Sequence, residues 1–133
     1  MKVATLIVAA GLDLDRMRAE FHPVNLDRVQ VLPIPGLFLK FWPENVAAMT
    51  LGSRIFMKPS RLFGDPAGIK YLIIHELVHV RQWSEYGVFG FLRRYLGEYI
   101  RGRMQGLGHN TAYERNRLEV EASHLADRYR GLM

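Results

Sequence analysis

The stretch IKYLIIHELVHV, residues 69–80, constrains the fold of this chain more than any other. It is apolar at most positions, yet it carries two histidines and a glutamate in the pattern H-E-x-x-H. A helix with Tyr71, Leu72, Ile73, Ile74, Leu77, Val78 and Val80 spread around it is apolar on most sides and belongs at the centre of a domain. Imidazoles inside such a helix are costly unless each ring nitrogen finds a partner. The fold must therefore deliver polar groups to the middle of its own core.

Spacing says what those groups can do. His75 and His79 are one helical turn apart and share a face, so both rings can reach one ion. Glu76 is rotated by about 100° from His75. It cannot easily join the histidines as a ligand, but it can lie beside a metal's open position and take a proton from a water that the ion acidifies. A shuffled chain of this composition would contain H-E-x-x-H with a probability of about 1 in 100, so the motif needs a helix, a third ligand and a place for substrate around it.

The helix is delimited. Asp65-Pro66 reads as an N-cap followed by proline at the first helical position. Gly87 reads as the C-cap. The third ligand cannot be cysteine, because the chain has none; His and carboxylate remain. The candidates are Glu119, Glu121, His124 and Asp127 in LEVEASHLADRYR. At 100° per residue Glu119 shares a stripe with Ala122, Ser123 and Ala126, small residues that permit close approach of a neighbouring helix. Glu121 points nearly the opposite way, among Arg117, His124 and Arg128, as a surface ion-pair partner would. Asp127 falls off the stripe. Glu119 is the preferred ligand and Glu121 the alternative. Ser123, one turn beyond Glu119, is placed to support a ligand by hydrogen bonding. His22 and His124 receive no functional role.

Around this centre the chain reads as α+β. A helix is expected over residues 3–20. Strands are expected at Arg28–Leu32, at Gly36–Trp42 and at Thr50–Lys58, the last with Leu51, Ser53, Ile55 and Met57 on one face. A helix over Phe89–Arg103 should turn Phe89, Leu92, Tyr95, Leu96 and Tyr99 inward and Arg93, Arg94, Arg101 and Arg103 outward. The capping box Thr111-x-x-Glu114 should start a last helix running to Arg130. A chain of 133 residues with 49% hydrophobic and 23% charged residues suits one domain, 1–133, with one core.

HELVH followed some 40 residues later by Glu119-Val120-Glu121-Ala122 resembles the gluzincin metallopeptidases. It is most similar to small bacterial zincin-like domains of the DUF4157 type, over Ala48–Asp127: AMTLGSRIFMKP, then HELVHVRQW, then AYERNRLEVEA. The resemblance implies a minimal zincin-like domain, with a small antiparallel or mixed sheet packed on the central HExxH helix and a later helix bearing the glutamate. It implies one Zn2+ per chain held by His75, His79 and Glu119, and Glu76 as general base. Many relatives have Asp or Asn where Ser123 stands. The strand before the motif helix, here Thr50–Lys58, is expected to line the cleft and to pair with an extended peptide. Tyr113 or His109 could stabilise the oxyanion; their plainer readings are a packing tyrosine and a loop histidine.

The expected function is zinc-dependent peptide-bond hydrolysis; the alternative is a zincin scaffold that keeps its metal and acts through a protein partner. The formal charge of +5 would also suit a nucleic-acid-binding protein. However, the arginines are scattered and no helix-turn-helix, RRM or zinc-finger pattern is present, so no nucleic-acid partner is expected. Val3–Leu12 is too short to span a bilayer. The chain reads as cytoplasmic, with secretion the alternative if residues 1–11 act as a signal peptide.

Overall fold

The computed structural model describes residues 1–40, 42, 46–62 and 66–130. Among them are seven helices and a three-stranded mixed sheet, an α+β arrangement. The expected N-terminal helix is two: α1 (Val3–Ala9) and α2 (Leu14–Phe21). Gly11 turns the chain between them at φ 84, and the Asp13 side chain accepts from Arg16 N–H at the start of α2, a regular N-cap. A 3-10 turn at Leu26–Arg28 takes the beginning of the expected first strand. The strand itself, β1, is Gln30–Pro33.

Two further expectations are corrected. Gly36–Trp42 is not a strand. Gly36–Leu39 forms a short helix, α3, entered from Pro35, whose carbonyl accepts from Phe38 N–H and Leu39 N–H. Leu37, Phe38 and Leu39 are exposed; the run is apolar without the alternation that a half-buried strand needs. Phe41 lies outside the described residues.

Thr50–Lys58 is a hairpin, not one strand. β2 (Ala48–Leu51) and β3 (Arg54–Met57) pair antiparallel, with Thr50 opposite Ile55 and Leu51 opposite Arg54. The two-residue loop Gly52-Ser53 has glycine first, at φ 63, the pattern of a type II′ turn. The turn changes which residues share a face. Ala48 and Thr50 join Ile55 and Met57 on the buried side, and Leu51 is exposed. β1 runs parallel to β3 on its other side, so the order is β1-β3-β2 and β2 is an edge.

After a short helix α4 (Pro59–Leu62) comes α5 (Pro66–Met104), which carries the motif. Asp65, the expected N-cap, lies outside the described residues. Gly87 interrupts α5 at φ 70, ψ 173, where the expected stop falls, and splits it into a motif segment and a distal segment. In the motif segment Ile73, Ile74, Leu77 and Val78 are completely buried. They pack in one core with Val3 and Ile7 of α1, Met17 and Phe21 of α2, and Ile55 and Met57 of β3. Each large apolar side chain buried this way contributes roughly 1.5–3 kcal/mol.

The distal segment is turned differently from the expected orientation. Phe91 is buried and Tyr95 half-buried, whereas Phe89, Leu92 and Leu96 are exposed. The final helix is also divided. α6 (His109–Glu114) contains Thr111 and Glu114, so they do not cap α7 (Arg117–Arg130). Asn116 does: its Oδ1 accepts from Leu118 N–H at 3.1 Å, and its Nδ2 donates to the Tyr95 carbonyl at 3.0 Å. Asn116-x-x-Glu119 is itself a capping-type spacing. α7 lies against α5 with Ala122 and Ala126 fully buried, as the small-residue stripe predicts.

Candidate metal centre

The centre forms where α7 crosses the motif segment. His75 and His79 have ring centroids 5.0 Å apart, edge to face, as a one-turn spacing requires. Glu119 sits in the first turn of α7 and reaches both rings. Its Oε2 lies 3.0 Å from His75 Nε2 and its Oε1 3.2 Å from His79 Nε2. One ligand atom from each of the three residues lies within 4.8 Å of the others.

Electrostatics show what the cluster wants. Burial opposes a charged imidazole at His79, but the Glu119 hydrogen bond and charge, aided by Glu76, outweigh it and raise the pKa to about 9. Burial likewise opposes the Glu119 carboxylate, yet hydrogen bonds from His75 and His79 hold it well below the usual carboxylate range. Without metal, the proton held on the His79 ring supplies positive charge beside this carboxylate. A divalent cation can take the same place, since two imidazole nitrogens and a carboxylate oxygen are a sufficient protein donor set.

The surrounding contacts fix the geometry. Gln82, completely buried one turn beyond His79, accepts from His79 Nδ1–H at 2.8 Å and donates to the Leu118 carbonyl at 3.0 Å. That bond assigns the proton to Nδ1 and leaves Nε2 for the centre. His75 Nδ1 is buried with no hydrogen-bond partner among the described residues. Tyr95 donates to Glu119 Oε1 at 2.9 Å. Burial, then the negative charge of Glu119, push the Tyr95 and Tyr113 phenols well above their ordinary range, so both stay protonated donors.

Glu76 is buried beside the cluster but is not part of it, as its rotation around the helix predicts. Thr50 Oγ1 donates to Glu76 Oε2 at 2.6 Å, and Trp83 Nε1–H donates to the Thr50 carbonyl at 3.1 Å. Residues of β2 line a cleft of about 210 Å³ together with Trp83, Phe91, Leu92 and Tyr113 and with Glu76, His79 and Glu119. Phe91 stacks on Trp83 at 4.1 Å and on Tyr95 at 5.7 Å.

Of the residues singled out in the sequence, His75, Glu76, His79, Glu119 and Tyr113 are brought together. Glu121 is exposed, with Arg81 3.9 Å away. His109 is exposed, hydrogen-bonded to Tyr99 at 2.7 Å, and does not line the cleft. Ser123 is half-buried on α7, and Gln82 and Tyr95 hydrogen-bond to His79 and Glu119. Thr50, Gln82 and Tyr95 are the supporting residues that sequence reasoning does not assign. Gln82 carries a signal, a polar residue three positions after His79 within an apolar helix.

Residues 44–87 match the eCIS core domain, a DUF4157-like family of extracellular contractile injection systems. The match takes in the hairpin and the motif segment and ends at the Gly87 kink, so Glu119 lies beyond it. No curated protein and no solved structure matches the chain. Among the described residues no helix is long and apolar enough to cross a membrane.

Proposed function

We propose that the chain is a zinc-dependent peptidase of gluzincin type, with His75, His79 and Glu119 as ligands and Glu76 as general base. The observation that carries this reading is the placement of Glu76: a buried carboxylate at the base of an open cleft, next to the ligand set but outside it, and oriented by Thr50. The two-histidine, one-glutamate donor set is that of catalytic rather than purely structural zinc. When bound, zinc would supply Lewis acidity, lowering the pKa of a water and polarising a carbonyl. The residues of the chain do the rest. Thr50 fixes one oxygen of Glu76, so the carboxylate can accept a proton from the attacking water and pass it to the leaving amine. Tyr113, a protonated donor on the cleft wall, would hold the oxyanion. β2 would present its edge to an extended peptide.

A second reading, a metal-keeping scaffold that binds a protein partner, has one observation in its favour. The Thr50 carbonyl, an acceptor that peptide pairing would use, is already engaged by Trp83.

The test separates the two. Metal analysis of purified protein should find about one zinc per chain, absent from His75→Ala. Hydrolysis of a diverse peptide library should fall by about 10²–10⁴-fold in Glu76→Gln with zinc retained. Zinc without turnover in the wild type would favour the scaffold. No zinc in the wild type would end both.

A further inference from the structure

The distal segment of α5 leaves its longest apolar row uncovered. Val88, Leu92, Leu96, Ile100 and Met104 follow one another at four-residue intervals; each step turns the row by about 40°, so together they form a ridge that winds over an arc of about 160° of the helix surface. All five are exposed, Met104 to 83%, and Phe89 beside them to 88%. At 1.5 Å per residue the ridge is roughly 25 Å long. An exposed apolar surface of this extent marks an interaction site.

Its charge selects the kind of partner. Arg93, Arg94, Arg101 and Arg103 are all exposed on the same segment. Arg94 lies over the Tyr86 ring at 4.4 Å. The one acid of the segment, Glu98, is 3.7 Å from Arg117, so the arginines of the ridge are not neutralised from within it. At about 100° per residue Arg94 and Arg101 flank the apolar arc beyond Met104, while Arg93 and Arg103 project from within it; long basic side chains on and beside an apolar helix face are the pattern of a helix that lies in a bilayer interface. Arginine stems can cover the apolar surface while their heads reach lipid phosphates. Leu92 belongs both to the ridge and to the cleft wall, so the two surfaces are continuous.

We propose that this segment docks the protein on an anionic lipid surface, parallel to it, with the ridge in the headgroup–acyl boundary and the mouth of the cleft at the lipid surface. The inference does not depend on peptidase activity.

The experiment is co-sedimentation of the full chain with vesicles of phosphatidylcholine alone and of phosphatidylcholine with phosphatidylserine at 7:3. The protein should pellet with the anionic vesicles, less so as salt is raised. Leu96→Glu with Ile100→Glu should abolish pelleting. Arg93→Gln with Arg101→Gln should weaken it about 25-fold, about fivefold for each arginine. All four positions are exposed, so thermal unfolding should match the wild type in both variants and show that lost binding is not lost folding. Failure to pellet with anionic vesicles at low salt overturns the proposal, as does equal binding to both vesicle types. A wild-type dimer in solution that Leu96→Glu dissociates, without vesicle binding, makes the ridge a protein interface and also overturns it.

Discussion

Thr50 on the edge strand and Glu76 on the central helix, 26 positions apart, are joined by a 2.6 Å hydrogen bond in a buried setting. Leaving a buried hydrogen-bonding group without its partner costs roughly 1–3 kcal/mol. Thr50→Val keeps the side-chain shape and removes the donor, so it should lower unfolding free energy by about that amount at neutral pH. Thr50→Ser should restore most of it. Urea unfolding of the three proteins checks both; equal stability of Val and wild type would remove Thr50 from the description of the site.

Gln82 would act on a bound metal through His79. Gln82→Leu removes the acceptor that sets the ring tautomer and leaves the Leu118 carbonyl without its donor. Zinc affinity, read by competition with a chromophoric chelator, should fall roughly 10- to 100-fold.

The ion pair makes the metal-free protein pH-sensitive in two directions. His79 is raised from 6.5 to about 9 by Glu119. Its contribution is fully present below pH 6.5 and is lost as pH rises through about 9. Glu119 is depressed from 4.5; its contribution is present above pH 4.5 and is lost on acidification below that. Thermal stability of the metal-free chain should therefore be greatest between about 4.5 and 6.5 as far as this pair is concerned. Between pH 6.5 and 9 the His79 contribution should decline by about 3 kcal/mol. On the proposed zinc reading the ion would compete with the His79 proton, so its binding should strengthen over the same rise in pH. A Tm that stays flat from pH 6.5 to 9 without metal would contradict the ion pair.

Gly87 stands at φ 70, ψ 173, a region almost confined to glycine. Gly87→Ala should destabilise by about 1–3 kcal/mol. Among the described residues, its chain neighbours aside, no atom lies within 4 Å of the position a Cβ would take, so the loss would be backbone strain and not a clash. Since the kink aims Phe91 and Tyr95 at the centre, zinc affinity should weaken along with stability.

Much of this site is legible in the sequence because helical periodicity alone determines it. One turn separates His75 from His79, a glycine stops the motif segment, and the small-residue stripe of α7 selects Glu119 over Glu121. The parts that escape depend on chain reversal or on what an apolar face meets. Read as one strand, Thr50–Lys58 puts Leu51 on the face of Ile55; the Gly52-Ser53 turn is the signal that instead turns Thr50 inward. Thr111-x-x-Glu114 and Asn116-x-x-Glu119 are rival start signals, and burial of Asn116 against Tyr95 decides between them. The apolar row from Val88 to Met104 is plain in the sequence, but periodicity does not say whether a row faces its own core or the outside.

The hairpin loop has a consequence for how this chain can change. Side chains alternate along β2, so the two-residue loop works as a phase setting. One inserted residue that slipped the pairing by one position would exchange Thr50 for Leu51 or Met49 in front of Glu76. The carboxylate would then face hydrocarbon with every residue of the motif intact. Insertions at Gly52-Ser53, although the loop is at the surface, should be as damaging as the loss of a ligand. Where the added residue shifts the pairing, a chain that keeps HELVH loses the same site by a change of register.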